Sequence, residues 1–196
     1  TGLVWQPNDA DTFRATASRG VQLPNIEDLG GLQYAVSTAP PLPIAITGVP
    51  TIAPTIVNNY EICWDRQLSA LDATLRVSAF VQSTDGAVSN IGAITYLPAV
   101  LLLTPATIGD SRAEGLEIEM KGQFRRSWRW GLGYTPEIIT DHFASSLVTK
   151  LFVVDFQHTT PTHVVNANLG WSGGRWDVDG FLRYESSFYG LAAQGS

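Results

Sequence analysis

The side chains of this 196-residue sequence that could do chemistry fall into two sets. His142, His158 and His163, with Asp141 and Asp155 close in sequence, could hold a metal ion or pass a proton, since neutral imidazole and carboxylate are the usual ligands and bases. Their spacing matches neither a helix-borne ligand pair nor a zinc motif, which favours solvated loop histidines. The second set is Glu117 and Glu119, two residues apart on one strand face, where paired carboxylates could serve as acid and base. Alternation on a hydrated wall explains them without catalysis. The sequence carries no glycine-rich phosphate loop, nucleophile elbow or Cys-His pair. Neither a catalytic residue nor a cofactor is expected.

The elements that carry these residues are amphipathic strands. From Leu116 the residues alternate, with Leu116, Ile118 and Met120 on one side and Glu117, Glu119 and Lys121 on the other. After the polar turn Arg125-Arg126-Ser127 the alternation resumes: Trp128, Trp130, Leu132 and Tyr134 oppose Arg129, Gly131 and Gly133. Residues 111–138 therefore read as a hairpin of two long strands. A soluble sandwich alternates too, but its strands run about 5–6 residues, whereas a tilted strand crossing a bilayer needs roughly 9–11.

The same pattern recurs along the chain. Leu3-Val4-Trp5 ends one strand and Pro7-Asn8-Asp9 turns it. Residues 12–19 set Phe13, Ala15 and Ala17 against Arg14, Thr16 and Ser18. Residues 60–67 set Tyr60, Ile62 and Trp64 against Glu61, Cys63 and Asp65. Residues 73–82 set Leu75, Val77, Ala79 and Val81 against Arg76, Ser78, Phe80 and Gln82. Residues 164–171 follow, then the Ser172-Gly173-Gly174 turn. Finally, residues 175–184 put Trp176, Val178, Gly180, Leu182 and Tyr184 opposite Asp177, Asp179, Phe181, Arg183 and, just beyond, Glu185.

Between these strands the connections alternate in length. Breaks near residues 8, 70, 126 and 173 are short, and those at 20–57, 84–110 and 140–162 are long. Two uncharged stretches, 29–60 and 86–109, are long enough to be tested as membrane helices. Pro40, Pro41, Pro43, Pro50 and Pro54 in the first, and Gly86, Gly92, Pro98 and Pro105 in the second, rule that out. Both are expected to be apolar loops. Short turns at one rim and long loops at the other are the mark of an up-and-down membrane barrel, with the turns periplasmic and the loops extracellular. Trp128, Trp130, Trp171 and Trp176 flank two short turns and would form a periplasmic girdle. Tyr134 and Tyr184 stand about 14–19 Å higher, within an apolar band of about 25 Å.

A net charge of −6 and a pI near 4.9 argue against nucleic acid as a partner, since phosphate binding needs a clustered basic surface. The single Cys63 excludes an internal disulfide framework. The sequence opens at Thr1 without a signal peptide, which points to a mature chain or a fragment.

Three motifs then carry a family resemblance. They are the run from Thr12 through Arg19-Gly20-Val21-Gln22-Leu23-Pro24, the step Asn59-Tyr60-Glu61-Ile62-Cys63-Trp64-Asp65, and Ala113-Glu114-Gly115-Leu116-Glu117-Ile118-Glu119. In this order and spacing they resemble the barrel of TonB-dependent outer-membrane receptors, over most of the chain. Cys63 departs from the glycine common there, and Thr55 after Pro54 departs from a frequent acidic residue.

The resemblance implies an all-β, antiparallel, up-and-down transmembrane barrel segment: seven or eight strands of a barrel of about 22 around a plug. It implies an internal piece of the C-terminal half of the barrel domain over residues 1–196, without plug or closing strand. It further implies uptake of a ferric siderophore, cobalamin or glycan across the outer membrane of a Gram-negative bacterium, energised through TonB and the plug. Expected partners are the rest of the barrel, the plug, TonB, outer-membrane lipid and the small ligand. Arg14, Arg76, Glu117, Glu119, Lys121, Asp177, Asp179, Arg183 and Glu185 would face the lumen, to meet plug or ligand. Trp64, Leu116, Ile118, Trp128, Trp130, Leu132, Tyr134, Trp171, Trp176 and Tyr184 would face lipid or form girdles. The competing architecture is a soluble β-sandwich carbohydrate-binding module, which would bury Leu116, Ile118, Trp130 and Leu132 under a second sheet.

Overall fold

The computed structural model describes residues 1–36, 43–98, 100–144 and 155–188. Its strands are β1 (Gly2–Trp5), β2 (Asp11–Gln22), β3 (Leu32–Val36), β4 (Pro43–Thr47), β5 (Thr55–Leu68), β6 (Ala73–Leu97), β7 (Val100–Phe124), β8 (Trp128–Phe143), β9 (His163–Gly173) and β10 (Trp176–Glu185). Two short helices, α1 (Ile26–Gly30) and α2 (Phe156–Thr159), lie between them. All described strands join one sheet, whose main path runs β1-β2-β5-β6-β7-β8-β9-β10 with antiparallel neighbours. The path is open, and β1 and β10 are its edges.

Alternation in sequence becomes two continuous faces because the cross-strand register pairs like with like. On the apolar face, Trp5, Phe13, Trp64, Val77, Ile118, Tyr134, Val165 and Tyr184 follow one another from strand to strand. No second sheet covers them among the described residues. Leu116 is 43% exposed, Ile118 37% and Leu132 52%, and Trp130 is half-buried. A sandwich would have buried all four, so that alternative is overturned.

The four short connections are present, the first being residues 6–10 between β1 and β2. Ser69–Leu71 forms a single 3-10 turn, Arg125-Arg126-Ser127 joins β7 to β8, and Gly174-Arg175 joins β9 to β10. The long ones are not plain loops. Residues 86–109 continue β6 and β7 as a hairpin of two 25-residue strands, with Pro98 at its tip. The proline and glycine signals fall on irregularities in the ladder: register shifts lie between Thr84 and Ala87, Ala87 and Val88, and Ser89 and Ala93. Pro105 lies in the unpaired gap opposite the last of these, where its missing N–H costs no ladder bond. Gly86 at φ +70 and Gly109 at φ +141 take conformations that side chains resist.

The first long connection is also structured. Asn25 caps α1 in a capping box, its side chain accepting from the Asp28 amide at 2.7 Å while Asp28 accepts from the Asn25 amide. The hairpin β3–β4 follows, and β4 docks parallel on β7, Ile44 to Ile46 beside Leu101 to Leu103. The third keeps β8 running to Phe143 and holds α2; residues 145–154 lie outside the described part. Buried Ala45, Ala87, Leu103 and Ile108 make a small apolar core in this upper region.

Candidate functional site

The polar face of the sheet gathers the charged residues that the alternation assigns to one side. One register row crosses seven strands as Thr12, Asp65, Arg76, Glu119, Gly133, Asn166 and Arg183. Its neighbour on one side carries Arg14, Cys63, Ser78 and Glu117, and on the other Thr74, Lys121, Gly131, Asn168 and Phe181. Every lumen candidate therefore lies on this face.

Four ion-pair groups organise it. Asp65 accepts from two arginines, with Arg14 Nη2 at 2.5 Å and Arg76 Nε at 2.7 Å, and Arg14 also reaches the buried Cys63 Sγ at 3.3 Å. Near the short-turn end, Arg129 reaches Asp177 Oδ1 at 2.7 Å and Asp179 Oδ1 at 3.2 Å, and its other terminal nitrogen donates to the Ser172 hydroxyl. Ser172 in turn donates to Asp177 at 3.0 Å. Towards the far end, Arg183 holds Glu185 at 2.7 Å and donates to Asn166 Oδ1 at 3.2 Å. Lys121 sits 3.4 Å from Glu119. Most of these groups are well exposed, so solvent screens each pair and none contributes much stability; together they fix where charge is presented.

Two open clefts lie on the same face. One, of about 460 Å³, has Gln67, Thr74, Glu119, Lys121, Gln123 and Arg129 among its lining; the other, of about 440 Å³, has Glu137, Asn166, Arg183 and Glu185. Both are polar troughs without a fixed nucleophile. Glu117 and Glu119 do not act as an isolated carboxylate pair, since Glu119 has Lys121 beside it.

The opposite face carries the predicted aromatic set, and the structure extends it. Rings stack from Trp5 to Phe13 (centroids 5.4 Å), from Phe13 to Trp64 (6.3 Å) and from Phe124 to Trp128 (5.6 Å), and Trp128 meets Trp171 in a tilted contact (6.4 Å, 50° between planes). All lie near the short-turn end. Trp64 also donates its indole N–H to Asp11 Oδ1 at 2.9 Å, and Arg66 sits over its ring. Tyr134 stands higher and stacks on His163, with hydroxyl and Nδ1 3.0 Å apart.

The histidines are dispersed. His163 belongs to Tyr134, and His158 Nδ1 lies 2.8 Å from Asp155 Oδ1 within the cap of α2. Among the described residues no group of three or more His, Cys, Asp or Glu side chains is gathered as a metal ion would require. Sequence reasoning on single strands passed over Asp65 as a junction. The parity of Arg14, Asp65 and Arg76 put all three on one side, but their adjacency depends on strand order.

A single, mainly antiparallel sheet with one aromatic-rimmed apolar face and one charged face, turned tightly at one end and elaborated at the other, is the wall of a membrane β-barrel. The chain belongs to the TonB dependent receptor-like, beta-barrel family, whose model matches residues 1–196. No protein of curated function matches it by sequence. Among solved structures it is similar to the siderophore receptor PirA from Pseudomonas aeruginosa, with TM-score 0.65, 11% identity, and coverage of 93% of this chain and 32% of that one. It is similar also to a mutant (G324V) of the ferric enterobactin receptor PfeA from Pseudomonas aeruginosa, at TM-score 0.68, 12% identity, and 94% and 27% coverage. A third is the alcaligin outer membrane receptor FauA from Bordetella pertussis, at TM-score 0.55, 17% identity, and 94% and 28% coverage. The chain thus spans about a third or less of the length of these receptors.

Proposed function

We propose that this chain is part of the wall of an outer-membrane receptor that imports a scarce small ligand, energised through TonB, in a Gram-negative bacterium. The observation that carries the reading is the division of one sheet into an exposed apolar face and a charged face. The apolar face meets lipid, because among the described residues nothing else removes Leu116, Ile118 and Leu132 from water. The charged face, with Arg14, Arg76, Glu117, Glu119, Lys121, Asp177, Asp179, Arg183 and Glu185, lines the lumen and meets the plug. The remaining barrel strands pair with β1 and β10, whose free backbone groups no bilayer tolerates.

A ferric siderophore is the leading ligand class, supported by similarity to structures named as siderophore, ferric enterobactin and alcaligin receptors. Cobalamin and glycans are the other candidates. The activity is binding and transport, with no covalent bond made or broken. Uptake of iron-loaded siderophores, labelled cobalamin and labelled glycans by cells carrying the full-length receptor tests it. Uptake of one ferric siderophore that disappears when TonB is deleted is the expected result. Uptake of none of the panel, or uptake indifferent to TonB, overturns it.

A further inference from the structure

Most described arginines, and Lys121, sit in ion pairs. Arg19, Arg125, Arg126 and Arg175 do not, and the last three occupy two adjacent short turns. Those turns are physically joined, since the Ser172 amide donates to the Ser127 carbonyl at 2.8 Å. Their centres are two strand spacings apart, ~10 Å.

The backbone of the first turn is unusual. Arg125 at φ 51 and Arg126 at φ 55 are both left-handed, a conformation that hairpin turns give to asparagine and glycine. Two consecutive arginines there sacrifice backbone ease and place two exposed guanidinium groups at the end of the sheet. Gly174 at φ 61 relaxes the second turn and leaves Arg175 exposed beside it.

Directly above, on the apolar face, Phe124 stacks on Trp128, Trp171 leans against Trp128 at a tilt, and Trp176 is 73% exposed. Aromatic rings of this kind settle at the boundary between hydrocarbon and headgroups, which puts cations one turn further out at the depth of lipid phosphate. The nearby acids do not cancel them. Asp177 and Asp179 are engaged by Arg129 on the opposite face, and Asp72 stands on the neighbouring turn.

We propose that these two turns bind the headgroup of an anionic phospholipid in the periplasmic leaflet. Arg125, Arg126 and Arg175 hold the phosphodiester and the aromatic shelf seats against the upper acyl chain. Free phosphate would use the arginines alone, and an acidic protein segment would leave the lipid-side shelf without a role. The inference rests on the membrane-wall reading above.

The test uses the full-length receptor in a zwitterionic detergent, with native mass spectrometry reading retention of added phosphatidylglycerol against phosphatidylcholine. Wild type is expected to prefer phosphatidylglycerol, and the R125Q/R126Q/R175Q variant to lose about a hundredfold of that preference, roughly fivefold per arginine. Arg126→Gly, which relaxes the turn, should raise thermal stability while weakening phosphatidylglycerol retention about fivefold. That opposition of readouts excludes misfolding as the cause. Unchanged preference in both variants overturns the proposal, as does inorganic phosphate displacing the lipid at equal concentration. If protease sensitivity changes in the triple variant while lipid preference does not, the turns serve a protein partner and the lipid assignment falls. Flotation with vesicles is measured in parallel: a receptor that floats without lipid preference sinks only this inference, and one that does not float sinks the membrane reading with it.

Discussion

The lower and upper halves of this sheet solve the same problem in opposite ways. In the lower half, residues 73–84 pair with 111–122 without a register shift; Leu116 and Ile118 remain exposed, and Leu75, Val77, Val81 and Met120 are only half-buried. In the upper half the same two strands carry three register shifts, two glycines at positive φ and a parallel partner, β4, and their apolar residues Ala87, Leu103 and Ile108 are buried with Ala45. The lower half relies on its surroundings to remove apolar area from water. The upper half supplies its own core, as a soluble domain does. Bulges follow from that difference, because a strand must bend to fold over itself, whereas a wall must stay regular to continue into its neighbours.

The largest test of this contrast is Ile118→Arg. At mid-height on a lipid-facing wall it should cost about 2–4 kcal/mol of folding free energy, read by reversible denaturation of the full-length receptor in lipid vesicles. A negligible cost would show that this face does not meet hydrocarbon. Leu103→Ala should cost about 2–3 kcal/mol, but locally. Hydrogen exchange should accelerate at amides of 43–47 and 87–108 while those of 73–84 stay protected. Loss of protection in both regions would show that the two halves unfold as one.

Smaller effects sharpen the picture of the charged face. Asp65→Asn weakens the acceptor shared by Arg14 and Arg76, and with both guanidinium groups still open to solvent it should lower stability by no more than ~1 kcal/mol. The change should shrink in high salt; insensitivity to salt would mean that the pairing is not electrostatic. Smallest of all, Asp72→Gly removes a left-handed non-glycine residue at φ 45 and should stabilise the short β5–β6 connection by ~0.5–1 kcal/mol in the same denaturation assay.

Much of the wall was legible in the sequence because a strand's side-chain period is two and cannot drift. Once Leu116 and Glu117 face opposite ways, so do Trp128 and Arg129 across the turn, and the register preserves the division over every strand. The aromatic positions Trp128, Trp130, Trp171 and Trp176 could be placed on one face from the alternation, but Trp5, Phe13 and Phe124 join the aromatic cluster only through stacking between strands. The upper hairpin was misread as loop. Gly86, Gly92 and Pro105 mark breaks when read locally, yet a bulge absorbs each without ending the strand, and only pairing with a partner shows this.

By itself, then, the sequence determined which residues share a face and where the tight turns fall, because both depend on local spacing; its motifs added the resemblance to the family whose model matches the chain. The tertiary structure alone decided that β4 leaves the connection between β2 and β5 to lie along β7, and that Arg14, Asp65 and Arg76 meet. Those outcomes depend on which strands become neighbours, a long-range choice governed by hydrogen-bond partners and buried area that no local period encodes.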